Sequence, residues 1–302
     1  VPEQFAHRWD ALKKHWKTMQ KSWESMSTNR IQISEYLLPL AQFGKLGKVH
    51  SVFDHSFNLE FTGKLVNIAN YHEYLSSYGI FLTKELFDAV QPFAALGNVV
   101  KLAGETLTFY SRGGVKHLDL TDAEPVSLQI KPIPYRRAQL LQLKELLEKE
   151  KLGERIGIEQ NDTFQQIAAE LAAAPQPRWE AIGKFLVGRG QGLTPSGDDM
   201  LVSYLFVLKM FQDPRASALS AMLAQHENTT TDISKAYIQA ISAGYVNSLI
   251  YDFYQDLKNQ APLQKIHLDI EKIEAIGHTS GKDMCYGILL AISSMIHLRK
   301  GE

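Results

Sequence analysis

At 302 residues the chain is long enough for roughly two domains of about 150 residues each. Hydrophobic residues make up 45% and charged residues 22%, which excludes an intrinsically disordered chain. Lys and Arg number 32 against 33 Asp and Glu, a formal net charge of -1 that gives no electrostatic reason to expect nucleic acid or an anionic membrane as partner.

The chain opens on a helical pattern. Phe5, Trp9, Leu12, Trp16, Met19, Trp23 and Met26 recur at spacings of four and three, so three tryptophans share one stripe. Such a stripe needs cover, either from the chain's own body or from a second subunit. Around residue 49 the period changes to two. Phe57, Leu59 and Phe61 alternate with polar neighbours, and 65–68, 99–102, 106–110, 115–120 and 126–130 read as strands. Gly63, Ala103-Gly104-Glu105 and Arg112-Gly113-Gly114 punctuate them with turn chemistry. Pro132 and Pro134 close the region, because neither can donate to a ladder. Beyond Tyr135 the pattern is helical: Asn161-Asp162 caps a run through Leu171, and further helices are expected over 179–187, 199–211, 216–225, 233–257 and 283–298.

Strands followed by helices predict an α+β chain: an N-terminal antiparallel β domain, sheet or small barrel, followed by a mostly α-helical domain. The expected division is 1–47 for an amphipathic helix and linker, 48–134 for the β domain and 135–302 for the helical domain. The lone cysteine, Cys285, permits no intrachain disulfide and fits a reducing compartment. Neither 284–296 nor 236–251 is both long and apolar enough to span a bilayer, which takes about 20 residues. The opening segment is polar and Lys-rich, without the apolar core of a signal peptide. A cytoplasmic protein is therefore expected, with no membrane and no nucleic acid among its partners.

Two helix starts are written with the same letters. One reads Gly192-Leu193-Thr194-Pro195-Ser196-Gly197-Asp198-Asp199-Met200; the other reads Gly277-His278-Thr279-Ser280-Gly281-Lys282-Asp283-Met284. Ser-x-x-Asp ahead of an apolar run is the form of a capping box, with Ser196 or Ser280 accepting from the amide three residues on and Asp199 or Asp283 reaching back. Such an end favours an anion through its amides and its dipole. Gly188-Arg189-Gly190-Gln191-Gly192 adds a flexible approach and one fixed positive charge. Asp198 has no capping duty. With Asp199 and Asp283 it is a candidate for holding a divalent cation such as magnesium, or for orienting a substrate amide. The bland alternative is two well-capped buried helices.

The segment from Gly190 to Asp199 resembles the GxGLTPSxDD signature of the AllH subunit of oxamate carbamoyltransferase, and Ile276 to Asp283 resembles that family's second signature. Thr229-Thr230-Thr231-Asp232-Ile233-Ser234 is similar to its threonine-rich entry to a helix; 49–61 is a weaker match. The resemblance implies transfer of a carbamoyl group between carbamoyl phosphate and oxamate, forming or breaking down oxalurate in allantoin and purine catabolism, within a complex containing other subunits. It assigns no division of the chemistry among those subunits.

That chemistry needs a phosphate cradle, donors toward the carbamoyl oxygen, a clamp for a small anionic substrate and an activated nucleophile. Gly192, Thr194, Ser196, Gly197, Thr279, Ser280 and Gly281 are the candidate cradle, Arg189 the candidate anion clamp, and His278 with Asp198 the candidate catalytic pair. Asp199 and Asp283 are left as helix caps or metal ligands. The Ser-Thr-Arg-Thr-Arg phosphate motif of classical transcarbamoylases is absent, as are Walker, dinucleotide, HExxH and GxSxG patterns. The other open reading is a noncatalytic scaffold or regulatory subunit of a metabolic complex, its paired motifs being structural caps. Either form is compatible with a homo-oligomer.

Overall fold

The computed structural model describes residues 30–299, His72 excepted. The Trp9, Trp16 and Trp23 stripe lies outside the described residues. The chain divides into two compact units, one built from residues up to Leu75 with Gly79–Val126, the other from Ser76–Tyr78 with residues from Ser127 onward. The α+β class holds, strands coming first and helices after.

In the first unit nine strands form one sheet. They are β1 (Gln32–Ser34), β2 (Leu46–Val52), β3 (Ser56–Phe61), β4 (Lys64–Ala69), β5 (Gly79–Phe81), β6 (Val99–Ala103), β7 (Thr106–Ser111), β8 (Gly114–Asp119) and β9 (Glu124–Val126). Their spatial order is β8-β7-β6-β2-β3-β4-β5-β1-β9. Short turns make most neighbours antiparallel, as the spacing of strand and turn signals predicts, but β4–β5 and β1–β9 pair in parallel, so the sheet is mixed. The strand expected over 126–130 appears instead as β9, where Pro125 is tolerated because β9 lies at the sheet edge. Gln129 beyond it makes only an isolated bridge, to Tyr245.

The central strand β3 is buried along almost its whole length. Phe57 meets the ring of Phe87, from helix α1 (Lys84–Val90), at 5.8 Å and that of Phe109 edge-on at 5.9 Å. Asn58 is buried but satisfied: its Nδ2 donates to Ser51 Oγ at 2.9 Å and its Oδ1 accepts from Asn67 Nδ2 at 3.0 Å.

The second unit is helical: α2 (Arg137–Lys149), α3 (Asp162–Ala173), α4 (Trp179–Leu186), α5 (Ser196–Met210), α6 (Arg215–His226), α7 (Asp232–Ser242), α8 (Ser248–Lys258), α9 (Leu263–Glu274) and α10 (Ser280–Leu298). Helices α5 and α10 carry apolar residues on every side and so become the core, which the others surround. They touch closely at Gly287, where a Cβ would lie 2.3 Å from the carbonyl oxygen of Met200. The single helix expected over 233–257 is two, α7 and α8. Gly244, at φ +86°, turns the chain after α7, and Asn247 starts α8 by accepting from the amide of Ile250 at 2.9 Å. Among the described residues no helix is long and apolar enough to cross a membrane.

Candidate functional site

Both echoed motifs lie in the helical unit, and each follows the same local course. A helix ends (α4 or α9), a glycine adopts positive φ (Gly188 at +73°, Gly277 at +57°), a loop follows, and the motif opens a core helix. The amide of Gly197 then donates to the carbonyl of Arg189 at 2.9 Å, and that of Gly281 to the carbonyl of Ile276 at 3.0 Å. Each of these two glycines lies against the end of the preceding helix. A Cβ on Gly197 would sit 2.0 Å from the oxygen of Leu186, and one on Gly281 would sit 1.9 Å from that of Ile273.

The motifs meet. Thr194 Oγ1 and Ser280 Oγ are 2.9 Å apart and hydrogen-bonded. Gly157, in the loop before α3, lies between the other pair of hydroxyls: a Cβ there would come 2.2 Å from Ser196 Oγ and 2.8 Å from Thr279 Oγ1. The amide of Gly157 donates to Asp283 Oδ1 at 2.9 Å. Four hydroxyls, from Thr194, Ser196, Thr279 and Ser280, therefore gather where the two helices begin.

The capping box is not formed within either motif. Ser196 and Ser280 sit in the first helical turn, one place inside the N-caps Pro195 and Thr279, and no side chain caps either start. The carboxyls turn across instead. Asp199 lies beside the hydroxyls of Ser280 and Thr194, and Asp283 beside those of Ser196 and Thr279. Burial raises the pKa of both carboxyls, that of Asp199 well above the carboxylate range. The nearby charge of Asp283 adds to that rise, while the hydroxyls oppose it.

Asp198 is buried and committed to the loops. Its Oδ1 accepts from the amide of Gly188 at 2.9 Å, and its Oδ2 accepts from the hydroxyl of Thr230. Thr231 Oγ1 donates to the carbonyl of Leu193 at 2.5 Å, so the threonine-rich entry to α7 holds down the Gly190–Thr194 approach. A divalent cation finds no ready group of ligands: among the described residues no three His, Cys, Asp or Glu side chains are placed to hold a metal. Gly192 is exposed at φ +96° with open space where a Cβ would point.

Arg189 and His278 are both exposed on the loops that lead into the motifs. The guanidinium of Arg189 lies 3.9 Å from the centroid of the Phe185 ring, and its Nε donates to the Phe185 carbonyl at 2.5 Å. The carbonyl of His278 accepts from Lys282 Nζ at 2.6 Å. Cys285 is fully buried, its thiol pushed well up by burial and by the charges of Glu274 and Glu150, so it packs rather than reacts.

The residues not foreseen from sequence are Gly157 and Thr230. Thr230 belonged to a recognisable threonine run. Gly157 reaches Asp283 across 126 positions of chain, and no local pattern signals such a contact.

Residues 186–292 match the family described as oxamate carbamoyltransferase subunit AllH. The matched span holds both motifs, the threonine-rich entry and the core helices α5 and α10 up to Ile292. No solved structure matches the chain.

Proposed function

We propose that this chain is a subunit of a cytoplasmic carbamoyltransferase working between carbamoyl phosphate and oxamate in allantoin and purine catabolism, and that its small anionic substrate sits on the joined starts of α5 and α10. The observation that carries the reading is the 2.9 Å contact between Thr194 and Ser280, which joins two family motifs far apart in sequence. In the direction that consumes oxalurate, a phosphate oxygen attacks the carbamoyl carbon. The bond to the oxamate nitrogen breaks, and that nitrogen takes up a proton.

The hydroxyls of Thr194, Ser196, Thr279 and Ser280 are the donors for phosphate and for the developing oxyanion. The amides of Gly197 and Gly281 are already taken by loop carbonyls, so the hydroxyls carry most of this duty. Arg189 clamps a carboxylate or phosphate, and His278 delivers the proton to the leaving nitrogen. Asp198 shapes the Gly188 loop that carries Arg189. The inward engagement of Asp198, Gly197 and Gly281 favours a second reading, a noncatalytic scaffold or regulatory subunit within the same complex.

The deciding assay measures carbamoyl phosphate formed from oxalurate and phosphate by the chain with its co-purified subunits. Arg189→Ala is expected to weaken substrate binding roughly ten- to a hundredfold, the loss of one charge-assisted hydrogen bond. His278→Ala is expected to lower kcat with little change in KM. Full activity with Arg189 and His278 both replaced by alanine selects the scaffold reading.

A further inference from the structure

Of the four hydroxyl-bearing residues at the junction, Ser196 is the one shut away from water. It is 1% exposed, whereas Thr194, Thr279 and Ser280 each keep part of their surface in solvent. Two glycines cover it. A Cβ on Gly190 would come 3.1 Å from Ser196 Oγ, and one on Gly157 would come 2.2 Å from it. The backbone of Gly157 therefore rests on that hydroxyl, and no oxygen of an anion fits between them. An anion that uses all four hydroxyls has to displace one of the two covers.

The covers are held very differently. The Gly190 side is pinned from several directions. The carbonyl of Arg189 accepts from the Gly197 amide at 2.9 Å, the Gly188 amide donates to Asp198 at 2.9 Å, and the Leu193 carbonyl accepts from Thr231 at 2.5 Å. Gly157 belongs to a short segment, 153–157, strung between two buried apolar anchors, Leu152 and Ile158. Beyond those anchors its polar fastenings are few. The amide of Gly157 donates to Asp283 Oδ1 at 2.9 Å, while Arg155 places Nη2 2.8 Å from Glu274 Oε2 and donates from Nη1 to the Glu150 carbonyl at 3.1 Å. The Arg155 side chain is 41% exposed, so water competes for its ion pair and the fastening is weak.

We propose that residues 153–157 form an autoinhibitory strap, which covers Ser196 and Thr279 in the unliganded protein and lifts when the anion binds. This assignment rests on the functional reading above, since it places the ligand on those hydroxyls. Lifting the strap gives up one hydrogen bond and one exposed ion pair, while Leu152 and Ile158 stay anchored on either side. The closed strap occupies the ligand's place, so the apparent affinity falls by the fraction of molecules in which it is open. Glycine at 157 follows from the same contact. A methyl there would stand 2.2 Å from Ser196 Oγ and 2.8 Å from Thr279 Oγ1, so only a residue without a Cβ can close on both.

The test is amide hydrogen exchange on the full chain, with and without saturating inorganic phosphate or oxalurate, beside calorimetric dissociation constants for both. The bound anion is expected to slow exchange over 190–198 and 277–283 and to speed it over 153–157, an opposition of sign that a merely structural loop does not give. Arg155→Ala, which removes one fastening, is expected to speed exchange over 153–157 without ligand and to tighten binding roughly two- to fivefold. Gly157→Ala releases the strap independently, by the clash of its methyl with the two hydroxyls, and is expected to move both readings the same way. It decides the point if Arg155→Ala, which leaves Glu274 without its cation, does not fold. A wild-type chain that binds while exchange over 153–157 slows or stays unchanged, or whose affinity neither variant raises, overturns the strap alone. A wild-type chain and variants that bind neither probe overturn the functional reading and the strap with it.

Discussion

At the scale of single residues, Gly197 and Gly281 do work that no larger residue can do. Each brings the first turn of a core helix against the carbonyl that ends the preceding helix, leaving 2.0 and 1.9 Å where a methyl would go. The obstructing atoms are backbone, which cannot rotate aside, so alanine at either position has to push two helices apart. Overpacking of a well-filled core costs about 1–3 kcal/mol, and Gly281→Ala is expected at or above the upper end of that range by urea denaturation. Gly192→Ala is the control. Its φ of +96° strains a side chain, but nothing stands within 4 Å, so a loss of about 1 kcal/mol is expected. Equal losses at Gly192 and Gly281 would show that backbone conformation, and not close approach, is what these glycines provide.

At the scale of elements, α8 and α9 form a packed pair with an acidic seam. Asp256 on α8 and Asp269 on α9 are both buried; Lys265 Nζ lies 2.6 Å from Asp256, and Lys272 Nζ lies 3.8 Å from Asp269. Burial pushes the Asp269 carboxyl up from 3.8 to about 7, helped by its hydrogen bond with Asp256 and the charge of that neighbour. The folded protein therefore holds a proton that the unfolded chain has already released between about pH 4 and pH 7. Stability should fall as pH rises through that window and level off above it. Asp269→Asn is expected to flatten this slope and to raise stability at pH 8, by on the order of 1–3 kcal/mol. Thermal midpoints taken across pH 4–8 check it, and an unchanged slope in the variant refutes it. The elements themselves were largely legible in the sequence. Alternation of Phe57, Leu59 and Phe61 marked β3, and Asn161 marked the start of α3, where its side chain accepts from the amide of Phe164 at 3.0 Å. Those signals are local. The break between α7 and α8 was missed because apolar residues run across Gly244, and the parallel pairing of β1 with β9 was missed because it joins short strands far apart in sequence.

At the scale of the whole molecule, the motifs were visible as text, but their partners were not. Repeated letters located Thr194, Ser196, Thr279 and Ser280; that Thr194 answers to Ser280 and Asp283 to Gly157 depends on how α5 and α10 pack, which periodicity does not encode. The chain's overall charge sharpens the final expectation. A formal net charge of -1 creates no broad positive field, so an anion gains little from long-range attraction and must be held by local groups. Protection by phosphate, oxamate or oxalurate should therefore saturate with concentration and should not be reproduced by potassium chloride at the same ionic strength. A ligand that binds only the native protein at 100 times its dissociation constant adds about 2.7 kcal/mol, which moves the midpoint of a unit of this size by about 5–10 °C. Saturable shifts with those three anions, lost in Arg189→Ala, are expected from the isolated chain in a thermal scan. Identical shifts with potassium chloride, or none with any of the three, would mean that the joined helix starts hold no ligand by themselves and serve the assembly only through its architecture.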